Sequence, residues 1–373
     1  MPLLTLPFAL LSALFFASLF YALYLLLSPL LSPPRTSLRG RRILIAGAAH
    51  GIGAELAIGA AARGARLVLW DLDGGALRGV AERAREALRG AGVAVSERDT
   101  RAVAVAEVDV ASPAALATAA GEALRLGAVD SLVCCAAVLA GADARVLAAE
   151  QLGRVLAVNV GGPASLVRLF LPHLEAGVRA ASGSGGGGED GEGAPPSARG
   201  TIVLLGSVMG SLGAARLSDY AASKAALEGF AASLRQEVNR DGLRGWVGVQ
   251  VVCPWVAGTG MFEGAFARAG CALRALLRAF PPLRAEEVAG AVLEGLAAHH
   301  GAHRLTFAPW PMRWIVGALR VLALAHLPLF DWALAVMGGA GGMAQWRGTE
   351  HNARALSGRG TAGRADSTPR RRR

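Results

Sequence analysis

Lysine is almost absent from this chain: of 38 basic residues one, Lys224, is lysine and the rest are arginine. Tyrosine is nearly as scarce. Two of the three, Tyr21 and Tyr24, lie in an uncharged N-terminal run, which leaves Tyr220 as the sole tyrosine in any water-facing part. The four cysteines, Cys134, Cys135, Cys253 and Cys271, show no metal-ligand spacing and two are adjacent in an apolar run. That excludes a disulfide framework and suits a reducing, cytosol-facing domain. His299, His300 and His303 cluster, but Gly301 interrupts them and no acid stands at a useful spacing, so no metal is expected. Net charge is +10, yet the arginines are scattered and the densest run is 370–373. With no basic stripe interleaved with aromatics, nucleic acid is not an expected partner. The basic tail at 347–373 reads as disordered, solvated chain near an anionic membrane surface.

Charge is also missing from the first 34 residues, in a chain that is 53% hydrophobic. Pro7 and Pro29 bracket residues 8–28, whose helix would measure about 31 Å, close to a hydrocarbon core of about 30 Å. Tyr21 and Tyr24 fall near one end, where an aromatic belt is expected. The run lacks a basic leader and is too long for a cleaved signal peptide. Residues 1–34 are therefore expected to anchor the chain in a membrane. Arg35, Arg39, Arg41 and Arg42 follow at once, which keeps the remainder cytosolic.

Beyond the anchor, strands alternate with helices. Residues 43–53, Ile43-Leu44-Ile45-Ala46-Gly47-Ala48-Ala49-His50-Gly51-Ile52-Gly53, read as a buried strand, a glycine-rich turn and a helix start. Such a turn lets backbone approach a pyrophosphate, and the helix N-terminus supplies amide donors. A second apolar strand, 67–70, ends in Asp71, 18 residues past Gly53. An acid there accepts from an adenosine ribose and repels a 2′-phosphate, favouring NAD(H), while His50 beside Gly51 keeps NADP(H) open. Helices are expected at 77–88, 113–126, 151–171 (carrying Asn159), from Tyr220 onward, and at 286–298. Strands are expected at 102–108, 131–136, 201–205, 245–254 and 304–307. Residues 181–200, rich in glycine, acid and proline, read as a disordered insert. The pattern predicts an α/β, Rossmann-like, doubly wound parallel sheet over 35–307. Residues 308–346 are apolar but carry Arg313, Arg320, His326 and Asp331, which suits interfacial helices on a bilayer.

Tyr220 and Lys224 stand four apart, so on a helix the phenol and the ammonium share a face. A nearby ammonium favours the phenolate and is expected to lower the tyrosine pKa toward the working pH. With Gly47–Gly53, Ser207, Tyr220 and Lys224 in this order, residues 42–307 resemble the short-chain dehydrogenase/reductase superfamily. Leu69-Trp70-Asp71, Asp219-Tyr220, Thr259-Gly260-Met261-Phe262, Phe280-Pro281-Pro282-Leu283 and Pro309-Trp310 resemble its membrane-anchored retinoid and hydroxysteroid dehydrogenases. The likeness is greatest to the retinal-reducing short-chain dehydrogenase/reductase 3 type. Ala46, Cys134-Cys135-Ala136-Ala137 and Pro254-Trp255 depart from the family pattern.

The resemblance implies a catalytic set of Ser207, Tyr220, Lys224 and Asn159. Ser207 would hold the substrate oxygen, Tyr220 exchange its proton, Lys224 bond the nicotinamide ribose, and Asn159 order a water linking Lys224 to solvent. Cofactor contacts would come from Gly47, His50, Gly51, Ile52, Gly53, Asp71, Asp109, Val110, Ala136, Tyr220, Lys224, Pro254 and Thr259. The implied activity interconverts a lipophilic alcohol and its carbonyl, retinol and retinal foremost. A hydroxysteroid or other lipid alcohol is the enzymatic alternative, and a weakly catalytic membrane or lipid-droplet scaffold the alternative of another class. The resemblance implies an endoplasmic reticulum membrane or lipid droplets as location, and a homodimer stays open.

Overall fold

The computed structural model describes residues 36–96, 99–182, 200–244, 246–262, 274, 277–278, 280–298, 304–309, 312–325, 327–336, 343, 346 and 350–358. The expected anchor, nearly all of the 181–200 insert and the three clustered histidines lie outside them.

Strands β1 (Arg42–Ala46), β2 (Arg66–Asp71), β3 (Val103–Glu107), β4 (Ser131–Cys134), β5 (Gly200–Leu205), β6 (Val247–Pro254) and β7 (Arg304–Ala308) make one seven-stranded sheet in the order β3-β2-β1-β4-β5-β6-β7. Every pairing is parallel. Side chains alternate along a strand, and the two cores follow that alternation. Leu44, Val68, Trp70, Leu132, Ile202 and Leu204 face one core, while Ile43, Ile45, Leu67, Leu69, Val133 and Val203 face the other. The near-continuous apolar strands are what a sheet covered on both sides requires.

One layer is α1 (Gly51–Ala61), α2 (Gly74–Gly90) and α7 (Ala285–Ala298), which contribute Leu56, Leu77, Val80, Val288 and Val292. The other layer holds α3 (Pro113–Arg125), α4 (Ala149–Leu156), α5 (Gly162–Ser182) and α6 (Ser218–Arg240). Asp73 caps α2 by accepting from Ala76 N at 3.0 Å, and Ser112 caps α3 ahead of Pro113. The segment 149–177 is long and apolar enough to cross a membrane, but Leu166 and Phe170 are buried in the core and the Phe170 ring lies 6.0 Å from that of Trp70. It is a core helix.

Three departures from the sequence reading matter. The expected single helix at 151–171 is interrupted by a π-turn, Ala157–Gly161, a feature frequent at functional sites. Strand β4 stops at Cys134, because Cys135 N and Ala136 N both turn to donate to Ala46 O, at 2.8 and 2.9 Å. The tail expected to be disordered from residue 347 contains a helix, α10 (Glu350–Ser357), with Asn352 and Ala355 buried. Its order comes from tertiary bonds that local composition does not encode.

Between β7 and α10 run α8 (Met312–Ala325) and α9 (Leu327–Val336). Val316 and Leu319 of α8 bury against Val208 and Leu212. Trp314, Val321, Leu327, Leu329 and Trp332 of the pair stay exposed, Trp332 by 63%.

Candidate active site

The strand order reverses around β1, which opens a crevice at the carboxyl ends of β1 and β4. The glycine turn lines it. Gly47 has φ +86°, and a Cβ there would overlap Ala136 N, so no other residue fits. A Cβ on Gly53 would overlap Gly47 O, which is how α1 starts flush against the turn. Gly51 faces Thr259 across the mouth, 3.1 Å from Thr259 Cγ2 to where a Cβ would be.

Asp71, 7% exposed at the end of β2, accepts from Ala49 N at 2.9 Å and from Asp73 N at 3.0 Å. It thus braces the turn and keeps one lone pair on each oxygen for a further donor. His50, which in the sequence keeps NADP(H) open, has its Nε2 3.1 Å from Asp73 Oδ2. Asp109 is gripped by a residue the sequence reading missed. Arg154 donates to both of its oxygens, at 2.8 and 2.9 Å. Ala111 N also donates to Oδ1, so one acceptor site remains on Oδ2.

On α6 the buried stripe runs Tyr220, Ser223, Lys224, Leu227, Ala231, which places the phenol and the ammonium on the core-facing side. Lys224, 2% exposed, donates from Nζ to Leu205 O at 2.7 Å, and Nζ lies 5.5 Å from the centre of the Tyr220 ring. Ser207 follows β5, its Oγ accepting from Met209 N at 3.1 Å, and it lines the cleft together with Tyr220.

The electrostatics correct one expectation. Burial pushes the Tyr220 phenol up to about 12, and the Ser207 hydroxyl beside it only partly offsets this. Burial likewise pulls Lys224 down to about 8. Desolvation disfavours whichever form is charged, and here it is the largest cause for both groups. Cys135, beside the cleft, is pushed up to about 12 by the same burial and is a neutral thiol.

Asn159 also differs from expectation. The π-turn buries it, 1% exposed, with Oδ1 accepting from Val138 N at 2.8 Å. Its Nδ2 donates to Val138 O at 2.8 Å and to Ser223 Oγ at 2.9 Å. Both amide hydrogens are used, so the side chain clamps the β4 exit to α6. One lone pair of Oδ1 is left for a water.

A cleft of 510 Å³ gathers Gly47, His50, Gly51, Ile52, Gly53, Asp71, Asp109, Val110, Ala136, Ser207, Tyr220, Lys224, Pro254 and Thr259 along one lining. Of the residues singled out from sequence, Asn159 alone stands behind it. Trp255, Met261 and Phe262 add an apolar side, with the Phe262 ring edge-on to Tyr220 at 5.8 Å and 86°. Asn352 and Ala355 also line it. Its volume falls within the range of about 300–1,000 Å³ usual for ligand sites. The glycine cradle, which tolerates no Cβ, together with the α1 N-terminus and Asp71, fits a nicotinamide dinucleotide.

Comparison with known proteins agrees. The short chain dehydrogenase family model matches residues 41–186 and 193–269. "Retinol dehydrogenase 10-B" of Danio rerio is 28% identical over 271 residues, 68% of this chain and 70% of that one. The "2-dehydro-3-deoxy-L-rhamnonate dehydrogenase (NAD(+))" of a Sphingomonas strain is 32% identical over 208 residues, 55% of this chain and 68% of that one. A short chain dehydrogenase/reductase from Burkholderia phymatum, solved in complex with NAD, superposes with a TM-score of 0.57 at 27% identity, covering 78% of this chain and 95% of that one.

Proposed function

Because the chain belongs to the short chain dehydrogenase family and is an oxidoreductase of that class, we propose that it interconverts a lipophilic alcohol and its carbonyl, with retinol and retinal as the substrate pair. The observation that carries this is the meeting of Ser207, Tyr220 and Lys224 with the glycine cradle in one cleft that Trp255, Met261 and Phe262 line on an apolar side. A sugar acid, as processed by the Sphingomonas relative's namesake activity, would want a cation beside its carboxylate. The side around Tyr220 and Phe262 is apolar instead. Helices α8 and α9, whose Val316 and Leu319 pack on Val208 near Trp255, leave Trp314 and Trp332 exposed, which supports delivery of such a substrate from a bilayer.

A bound nicotinamide dinucleotide would supply the hydride acceptor or donor. Gly47, Gly51 and Gly53 would let its phosphates approach the backbone, and Asp71 would accept from its adenosine ribose, which favours NAD(H). Ser207 would hold the substrate oxygen against the Tyr220 hydroxyl. In reduction the Tyr220 hydroxyl would give its proton to the carbonyl oxygen; in oxidation its phenolate form, reached only after that proton has left, would take the alcohol proton. Lys224, fixed by Leu205 O, would keep a positive charge beside the developing phenolate. The uncharged run at 1–34 would hold the enzyme on the cytosolic face of the endoplasmic reticulum membrane or a lipid droplet.

The test is retinol oxidation and retinal reduction by membranes bearing the full chain, with NAD(H) and NADP(H) in turn, against Tyr220→Phe. Turnover abolished by that change is expected. Parent membranes no more active than the variant with every cofactor would remove this reading.

A further inference from the structure

Three loops frame the catalytic groups, and residues near the carboxy terminus bind all three. At the β4 exit, Leu139 N donates to Asn352 Oδ1 at 3.2 Å and Asn352 Nδ2 donates to Leu139 O at 2.9 Å. At the β6 exit, Trp346 Nε1 donates to Met261 O at 2.7 Å. Ahead of α6, Arg216 Nη1 donates to Met343 O at 3.1 Å, and Met343 is buried with Tyr220, Leu139 and Leu217. The Trp346 ring also occupies the space a side chain would need at Gly141.

Helix α10 reaches the opposite end of the cleft. Arg154, while holding Asp109 through its two terminal nitrogens, donates from Nε to Ala355 O at 2.8 Å. A guanidinium at the last turn of a helix also suits the helix dipole. Asp109 lies just past β3 and Asp71 ends β2, both on the side of β1 away from Tyr220. Asn352 and Ala355 line the cleft with them. A side chain that makes two main-chain bonds 213 residues away, from a helix of eight residues, is an expensive way to arrange a mere tail.

We propose that α10 is a wall of the cleft over the adenosine half of the dinucleotide, and that Asn352 is a positioning residue that sets the β4 exit against the cofactor. This rests on the reading of the cleft as a nicotinamide dinucleotide site. A dinucleotide lying between Gly47 and Ala355 is covered by the chain's own carboxy-terminal helix, while Trp346 ties together the two lips on the substrate side. Asn352→Ala removes the paired bonds to Leu139. Ala355→Leu leaves those bonds and adds bulk into the cleft.

The test uses the full chain in detergent, with NADH as probe. NADH affinity is measured by fluorescence, amide exchange is followed over 137–141 and 350–358 with and without NADH, and KM and kcat are compared. The parent should show slower exchange in both segments with NADH. Each variant should weaken NADH about tenfold and raise the dinucleotide KM more than it lowers kcat. A parent that binds NADH with no change of exchange in 350–358, and folded variants within twofold of its affinity, overturn the wall. A parent that binds neither NADH nor NADPH instead overturns the dinucleotide reading on which it stands.

Discussion

The ammonium of Lys224 is fixed to the main-chain carbonyl of Leu205, 2.7 Å away, and to no carboxylate among the described residues. Leu205 ends β5, two residues before Ser207, so one hydrogen bond links the lysine's position to that of the substrate-holding serine. A guanidinium spreads its charge over a planar fork and cannot occupy a compact, wholly buried ammonium site. Lys224→Arg is expected to lose about 100-fold or more in turnover, the scale of a misplaced acid–base partner. Activity within twofold of the parent would contradict this.

The same burial makes stability depend on pH. Lys224 falls from 10.5 to about 8 on folding, so below pH 8 the folded state carries the full desolvation cost. That cost fades as pH rises from 8 to 10.5, because there the unfolded chain binds more protons. The shift corresponds to roughly 3 kcal/mol at most. Tyr220 acts the other way only above pH 10, where the unfolded phenol ionises first. Thermal melts between pH 7 and 9.5 should show the parent gaining stability with pH relative to Lys224→Met. Parallel pH profiles for the two proteins would refute the assignment.

Gly53 has an Ala-intolerant site of the plainest kind. The added methyl of Gly53→Ala would overlap Gly47 O, a main-chain atom of the cradle itself, so it cannot be relieved by a side-chain rotation. A loss of about 1–3 kcal/mol from overpacking is expected, together with loss of NADH binding. A variant of parental melting temperature that still binds NADH would count against the cradle.

How much of this was legible in sequence follows from the range of the forces. The strands were readable because a doubly covered sheet writes continuous apolar runs, as in Ile43-Leu44-Ile45. The Gly47–Gly53 turn and the Tyr220–Lys224 pair were readable because local geometry demands those residue types. The order of α10 was not. Its composition resembles the tail around it, and what holds it are Leu139 and Arg154, about 200 residues away in sequence. The direction of the Tyr220 pKa shift is hidden from sequence for a related reason. Spacing shows that an ammonium is near, but not that both groups are sealed from water. Phe262 stood in plain view within Thr259-Gly260-Met261-Phe262, but nothing local says that its edge meets Tyr220.

Asp71 does two jobs, and one substitution separates them. Asp71→Asn removes the charge that would repel a 2′-phosphate and turns its amide NH₂ toward Ala49 N or Asp73 N, leaving one of the two a donor facing a donor. Activity with NADP(H) relative to NAD(H) should rise at least about tenfold, the change expected when ribose recognition loses its acid. Stability should fall by about 1–3 kcal/mol from the unsatisfied N–H. Ratios of kcat/KM for the two cofactors, with a melting curve, check both. An unchanged ratio would mean that Asp71 only braces the turn.

Asn159 tests whether the π-turn serves the fold or the proton path. Ser223 Oγ donates its own hydrogen to Tyr220 O at 2.7 Å, so toward Asn159 it can only accept. Val138 O can likewise only accept. Asn159→Asp would place a carboxylate oxygen against both, whereas Asn159→Ala removes the bonds to Val138 N, Val138 O and the Ser223 Oγ lone pair. Each change should cost about 2–4 kcal/mol, several buried polar groups being left unmet. The aspartate should be no better than the alanine despite its matching shape. If the amide is chiefly a clamp, turnover per folded molecule will fall in both in step with loosened exchange at Val138. An aspartate variant that melts like the parent would show that the hydrogen bonds run the other way, and the clamp would have to be abandoned.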